Sequence, residues 1–152
     1  MLLFSCNKGY TPRNLNNISI QEIKIDSSSI RAIIALKDST LLFTTSNGYL
    51  GLANDSTVTK LMRIKYDTLI PHFRAMASNG TSTFILSIGN PALLYRFKDG
   101  ESNLVYKEEH EKVFYDAMAF FDEENGIAMG DPTEDCLSII STRDGGETWT
   151  KI

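Results

Sequence analysis

At 152 residues and 17.0 kDa, the chain has the length of one ordinary domain. Its 15 Lys and Arg against 19 Asp and Glu give a net charge of −4, and the pI near 5.1 with no dense basic run argues against nucleic acid or an anionic membrane surface as the main partner. Hydrophobic residues at 42% exclude wholesale disorder, no apolar run approaches the roughly 20 residues of a transmembrane helix, and 2 cysteines exclude a disulfide-dense mini-domain or a four-cysteine zinc site.

The chain opens Met1-Leu2-Leu3-Phe4-Ser5-Cys6. This resembles the end of a bacterial lipoprotein signal, in which leucine, any residue and a small residue precede the cysteine that becomes lipid-modified. A secretory signal needs an apolar stretch of about 7–15 residues, so this reading of residues 1–6 implies further coding sequence upstream. The alternative is a simple strand stub. Residues 7–17 are polar, with Gly9, Pro12 and four asparagines, the composition of a flexible tether. A lipid on Cys6 implies an exported bacterial lipoprotein at the periplasmic or outer-membrane surface, touching the membrane only through that anchor. It also leaves Cys136 without an intrachain partner, and a buried free thiol is expected there.

Residues Ile18 to Ile25 alternate apolar and polar and predict one strand ahead of a repeat. The repeat follows. Ile30-Arg31-Ala32, Phe73-Arg74-Ala75 and Tyr115-Asp116-Ala117 align with a period of about 42 residues. A second apolar strand follows at Thr40–Thr45, Thr83–Ile88 and Asn125–Met129, and each ends in a turn containing Asn47, Asn90 or Asp131. Third strands are predicted at Tyr49–Ala53, Ala92–Phe97 and Leu137–Thr142. Fourth strands are predicted at Val58–Ile64, Asn103–Lys107 and Thr148–Ile152, with Lys107–Lys112 read as a charged loop between units. Four short strands per unit at this period is the pattern of a β-propeller blade. The expected fold is all-β, with residues 18–152 forming about three four-stranded antiparallel blades near 29–64, 72–108 and 114–152. Propellers close with roughly 4–8 blades, so the chain reads as the N-terminal part of a longer protein of six or seven.

The third unit ends Thr142-Arg143-Asp144-Gly145-Gly146-Glu147-Thr148-Trp149. This resembles the Asp-box of neuraminidase repeats, Ser/Thr-x-Asp-x-Gly-x-Thr-Trp, at every defined position, and Asp99 to Leu104 is a worn copy. The wider pattern adds Phe120-Phe121-Asp122 and Asn125-Gly126-Ile127-Ala128-Met129-Gly130. It resembles the photosystem II assembly and stability factor family of propellers, within the sialidase-like superfamily. It is also similar to Bacteroidetes-type lipoprotein propellers often labelled oxidoreductase. The resemblance implies a fold rather than an activity, and it implies that Thr142, Asp144, Gly146, Thr148 and Trp149 build an outer turn rather than a catalytic site.

Arg31, Arg74 and Asp116 begin the first strand of successive blades, which in such a fold lines the axis. They are the candidate ligand-binding residues, two guanidiniums being able to grip a carboxylate or phosphate. The competing reading is an Arg74–Asp116 salt bridge between blades. Asn47, Asn90 and Asp131 read as turn residues. The run Asp131 to Asp135 lacks the alternation and glycine of a calcium loop, and His72 and His110 have no ligating neighbour in sequence, so no metal is expected. No cofactor is expected either: Gly-x-Gly-x-x-Gly, a phosphate loop and Cys-x-x-Cys are all missing from the sequence.

The function expected is a non-catalytic cell-envelope platform for binding or assembly, with a protein or glycan ligand on the axial face and no nucleic acid. The alternative is a glycoside hydrolase of the sialidase-like class, with most of its catalytic residues in blades missing from this stretch of chain. That activity needs an arginine cluster, an acid and a tyrosine–glutamate nucleophile pair. Arg31, Arg74, Tyr115 and Asp116 supply residue types, but no such pair can be placed from sequence.

Overall fold

The computed structural model describes residues 12, 14–16, 18–20, 22–25, 27–36, 39–54 and 57–152. Cys6 and most of the tether lie outside these residues. The described chain forms twelve strands: β1 Ile30–Ala35, β2 Leu41–Thr45, β3 Tyr49–Asn54, β4 Thr57–Arg63, β5 His72–Ser78, β6 Thr83–Ile88, β7 Ala92–Lys98, β8 Glu101–Glu108, β9 Tyr115–Phe120, β10 Gly126–Pro132, β11 Leu137–Thr142 and β12 Thr150–Lys151. They pair consecutively into three antiparallel meanders, β1–β4, β5–β8 and β9–β12. No residue among those described is α-helical.

The sheets stack face against face, with their first strands β1, β5 and β9 side by side. The middle sheet shows why alternation builds this stack. Phe84 and Leu86 of β6 point toward the third sheet, where they pack with Tyr115, Ala128, Ile140 and Trp149. Ile85, between them, points the other way and packs with Leu42 and Leu50 of the first sheet and with Ile64 just after β4. Side chains alternate across a strand, so a strand covered on both faces must be apolar throughout, as Phe84-Ile85-Leu86 is. Asn79, at the β5–β6 turn, also crosses to the third sheet. Its amide donates to the carbonyls of Glu123 (3.1 Å) and Gly145 (3.0 Å).

Several expectations are corrected. The described residues of Ile18–Ile25 form no strand, and Ile20 is 90% exposed. An alternating segment needs a sheet edge to pair with, and none of the described strands pairs with these residues. β8 runs on through Glu108, which was expected in the loop, because Glu108 is tied into contacts between sheets described below. The fourth strand of the last sheet is only β12, two residues long. Cys136 is exposed rather than buried. It sits in the loop from Thr133 to Cys136, where charged Glu134 and Asp135 keep the chain at the surface.

Candidate ligand-binding face

The starts of β1, β5 and β9 lie at one end of the stack, together with the β10–β11 loop and the connection from Glu108 to Tyr115. Arg74 and Asp116 meet there across the boundary between the second and third sheets. Nε and one terminal nitrogen of Arg74 lie 3.1 and 2.9 Å from Oδ1 of Asp116. The guanidinium also sits 5.8 Å from the centre of the Phe114 ring. The side chains are 36% and 41% exposed, so the pair is open to solvent. Arg31 is exposed, and among the described residues no carboxylate lies within ion-pair distance of it.

His72 begins β5 beside these charges. Burial, then the fields of Arg31 and Arg74, hold its pKa below the ordinary value, so the ring is neutral at pH 7. Its Nε2 is buried without a hydrogen-bond partner. Sequence reading set His72 aside because it has no histidine or cysteine nearby. The useful signal was position: it immediately precedes the Phe73-Arg74 pair that marks the start of a first strand.

Asn47, Asn90 and Asp131 do not converge on one point. Asn47 accepts a bond from Arg63 at 2.8 Å, while Arg63 lies over the Tyr49 ring. Asn90 precedes a cis peptide to Pro91. Asp131, expected in a turn, instead lies within β10, because its N–H is taken up by the Phe114 carbonyl. Among the described residues, no three His, Cys, Asp or Glu side chains gather as metal ligands.

One cluster at this end was missed. Glu108 accepts from the hydroxyls of Tyr115 (2.6 Å) and Tyr106 (2.9 Å), and Lys151 bonds its other oxygen. Lys151 also reaches Thr133 at 3.1 Å. Burial drives the Glu108 carboxyl upward, but the bonds from Lys151, Tyr115 and Tyr106 outweigh it and hold the pKa below its ordinary value. Burial pushes the Tyr106 phenol up to about 12 and the Tyr115 phenol higher still, with Glu108 adding to both. Tyr115 aligns with Phe73 and Ile30, an apolar position in the repeat, and a buried hydroxyl there demands an acceptor. A tyrosine–glutamate pair therefore exists. Tyr115 is 0% exposed and its phenol stays protonated, so the pair locks sheets together and has neither the access nor the ionisation of a nucleophile.

At the opposite end, the β11–β12 turn is closed by its own side chains. Thr142 donates to Asp144 Oδ1 at 2.7 Å and accepts from the Gly146 N–H at 2.9 Å. The Asp144 carboxylate accepts from the Thr148 N–H at 3.0 Å and its hydroxyl at 2.5 Å. Those bonds, the Thr148 side chain first, hold its pKa down to about 2. Gly146 takes φ +87°, where a Cβ would overlap the Phe84 ring. Trp149 packs edge-on to Phe84 and Phe120 at 5.9 and 5.8 Å. A hollow of about 380 Å³ lies over this turn, but the acidic oxygens bordering it are already bonded within the turn. The hydrogen bonds of Thr142, Asp144, Gly146 and Thr148 close the turn, and Trp149 packs against the two rings.

No protein-family model matches the chain, and a comparison with curated proteins found no match. Among solved structures it is similar to one described as YCF48 bound to D1 peptide, with a TM-score of 0.62 at 14% identity. The match covers 82% of this chain and 39% of that one, so the chain spans about two fifths of the length of the structure it matches. At this identity the likeness concerns the fold. Three consecutive four-stranded antiparallel meanders with adjoining first strands are blades of a β-propeller, and the chain has that fold.

Proposed function

We propose that this chain is part of a non-catalytic binding or assembly platform whose recognition surface is the face carrying Arg31, His72, Arg74 and Asp116. The observation that carries the reading is the charge arrangement. Arg74 is fixed by Asp116 and the Phe114 ring, while Arg31 stands exposed across neutral His72. A positioned cation beside an exposed one suits an extended peptide bearing a carboxylate. The D1 peptide named with YCF48 supports a peptide as the ligand class.

A peptide array tests this, with each peptide offered as a free carboxylate and as an amide. The chain is expected to retain carboxylate-bearing peptides, and the double variant Arg31→Ala, Arg74→Ala is expected to lose at least about tenfold in capture at an unchanged melting temperature. Equal capture by both proteins removes these residues from the site. A glycan ligand is the competing outcome, read from a parallel glycan array.

The cellular address belongs to the same proposal. An exported lipoprotein anchored through Cys6, at the periplasmic or outer-membrane surface, is supported by Leu3-Phe4-Ser5-Cys6 and the polar stretch after it. Metabolic labelling with an alkyne fatty acid is expected to mark the protein and to fail on Cys6→Ser. Equal labelling of both sinks the anchor. A glycoside hydrolase, the alternative, would draw most of its catalytic residues from further blades, and the Tyr115–Glu108 pair of this chain is too buried to supply its nucleophile.

A further inference from the structure

His72 is the residue of the recognition face whose charge changes nearest neutral pH, and the chain leaves its ring without a partner. β5 packs on β1, β2, β6 and β9. β2 and β6 carry no charged side chain, β1 brings Arg31, and β9 brings Asp116 with the buried phenol of Tyr115. Asp116 is the only carboxylate on these four strands, and Arg74 binds it. The connection into β5 adds Lys65 and Asp67, and Asp67 acts on the Tyr95 phenol. The connection into β9 adds Glu109, bonded to Lys107, with Glu111 and Lys112 exposed. The fields that reach the imidazole are those of two cations, Arg31 and Arg74. Its buried Nε2 makes no hydrogen bond.

A protonated imidazole donates from both nitrogens. In the free chain a proton on His72 therefore adds a third positive charge beside two others and leaves a buried N–H without an acceptor. Both costs fall when an anion binds the guanidiniums, since it offsets their field and brings acceptor oxygens beside the ring. We infer that His72 takes up a proton from solvent as a carboxylate docks on Arg31 and Arg74, so that capture strengthens as pH falls from about 7.5 to about 5.5. This rests on the recognition face proposed above and adds its regulation. His72 becomes a third cation of the site that is switched on by acid and by the ligand together. The coupling is reciprocal: the ligand raises the proton affinity of His72 by the factor by which the proton raises the affinity for the ligand.

The test follows the ring C–H signals of both histidines by NMR across this pH range, in about 0.1 M N-acetylglycylglycine and in its amide, at matched ionic strength. The α-carboxyl of this probe titrates at about 3.5 and stays ionised throughout. The His72 midpoint is expected to rise by at least about half a pH unit with the acid and not with the amide, a coupling of about threefold. His110, whose ring accepts from the Lys112 N–H, is the internal control and is expected to hold its midpoint. Equal rises at both histidines are screening alone and overturn the coupling. A fixed His72 midpoint while the Arg31 and Arg74 Nε–H signals move also overturns it, and leaves the recognition face standing. If neither the arginines nor His72 respond, the face fails and the coupling with it. In the Arg31→Ala, Arg74→Ala double variant the free His72 midpoint is expected to rise toward about 6.5 and to ignore the probe. In His72→Gln the affinity for the probe is expected to be equal at both ends of the pH range, where the unaltered chain tightens about threefold.

Discussion

Removing the Phe84 ring is the most direct test of the contact between the second and third blades. Phe84 is fully buried, stacked on Phe120 at 4.7 Å and edge-on to Trp149 at 5.9 Å. Phe84→Ala is expected to cost about 3–5 kcal/mol from lost burial and the cavity left behind. Two aromatic partners, each adding about 0.5–1.5 kcal/mol, place it toward the upper end. The same ring occupies the space that a side chain at Gly146 needs. Gly146→Ala alone is expected to lose about 1–2 kcal/mol to the left-handed backbone and a further ~1–3 kcal/mol to displacement of the ring. In the Phe84→Ala background only the backbone cost remains, so the coupling between the sites is about 1–3 kcal/mol. Urea titrations of the four proteins, at one protein concentration, measure it. Trp149 is the only tryptophan and sits in the contact, so its fluorescence reports the transition. Additivity within about 0.5 kcal/mol refutes the claim that the ring presses on Gly146. A loss below about 1 kcal/mol for Phe84→Ala refutes the contact itself.

Two further outcomes follow from the same geometry. Asp144 titrates at about 2 in the folded chain, so its contribution is present above the unfolded value of roughly 4 and is lost as pH falls toward 2. Asp144→Asn is expected to flatten the stability curve across that window, and an NMR titration of the carboxyl with a midpoint near the unfolded value contradicts the reasoning. Glu108→Ala leaves the buried Tyr115 hydroxyl without its acceptor and Lys151 without its carboxylate. The expected loss is about 1–3 kcal/mol, read from thermal melts, with Glu108→Gln recovering part of it. An unchanged melt removes the cluster from the contacts that hold the blades together.

The grouping of twelve strands into three meanders and the place of most turns were legible in the chain itself. Alternation over four to seven residues, turn residues between, and the recurrence of Arg31-Ala32, Arg74-Ala75 and Asp116-Ala117 are all local properties, and local periodicity selects strands. The run Phe84-Ile85-Leu86 even signals a sheet covered on both faces. The candidate site was legible only as a set of equivalent positions. That Arg74 pairs with Asp116 while Arg31 stands apart depends on how the first strands of neighbouring blades dock, about 42 residues away in sequence. The Tyr115–Glu108 pair arises the same way, because a tyrosine at an apolar repeat position was satisfied by a carboxylate from the preceding blade. Tertiary structure also decided two of the readings that failed. Cys136 lies outside because its loop carries charge, whatever the packing preference of a thiol. Ile18 to Ile25 has the alternation of a strand, but a strand exists only where another edge bonds to it, and pairing partners are supplied by the assembled fold.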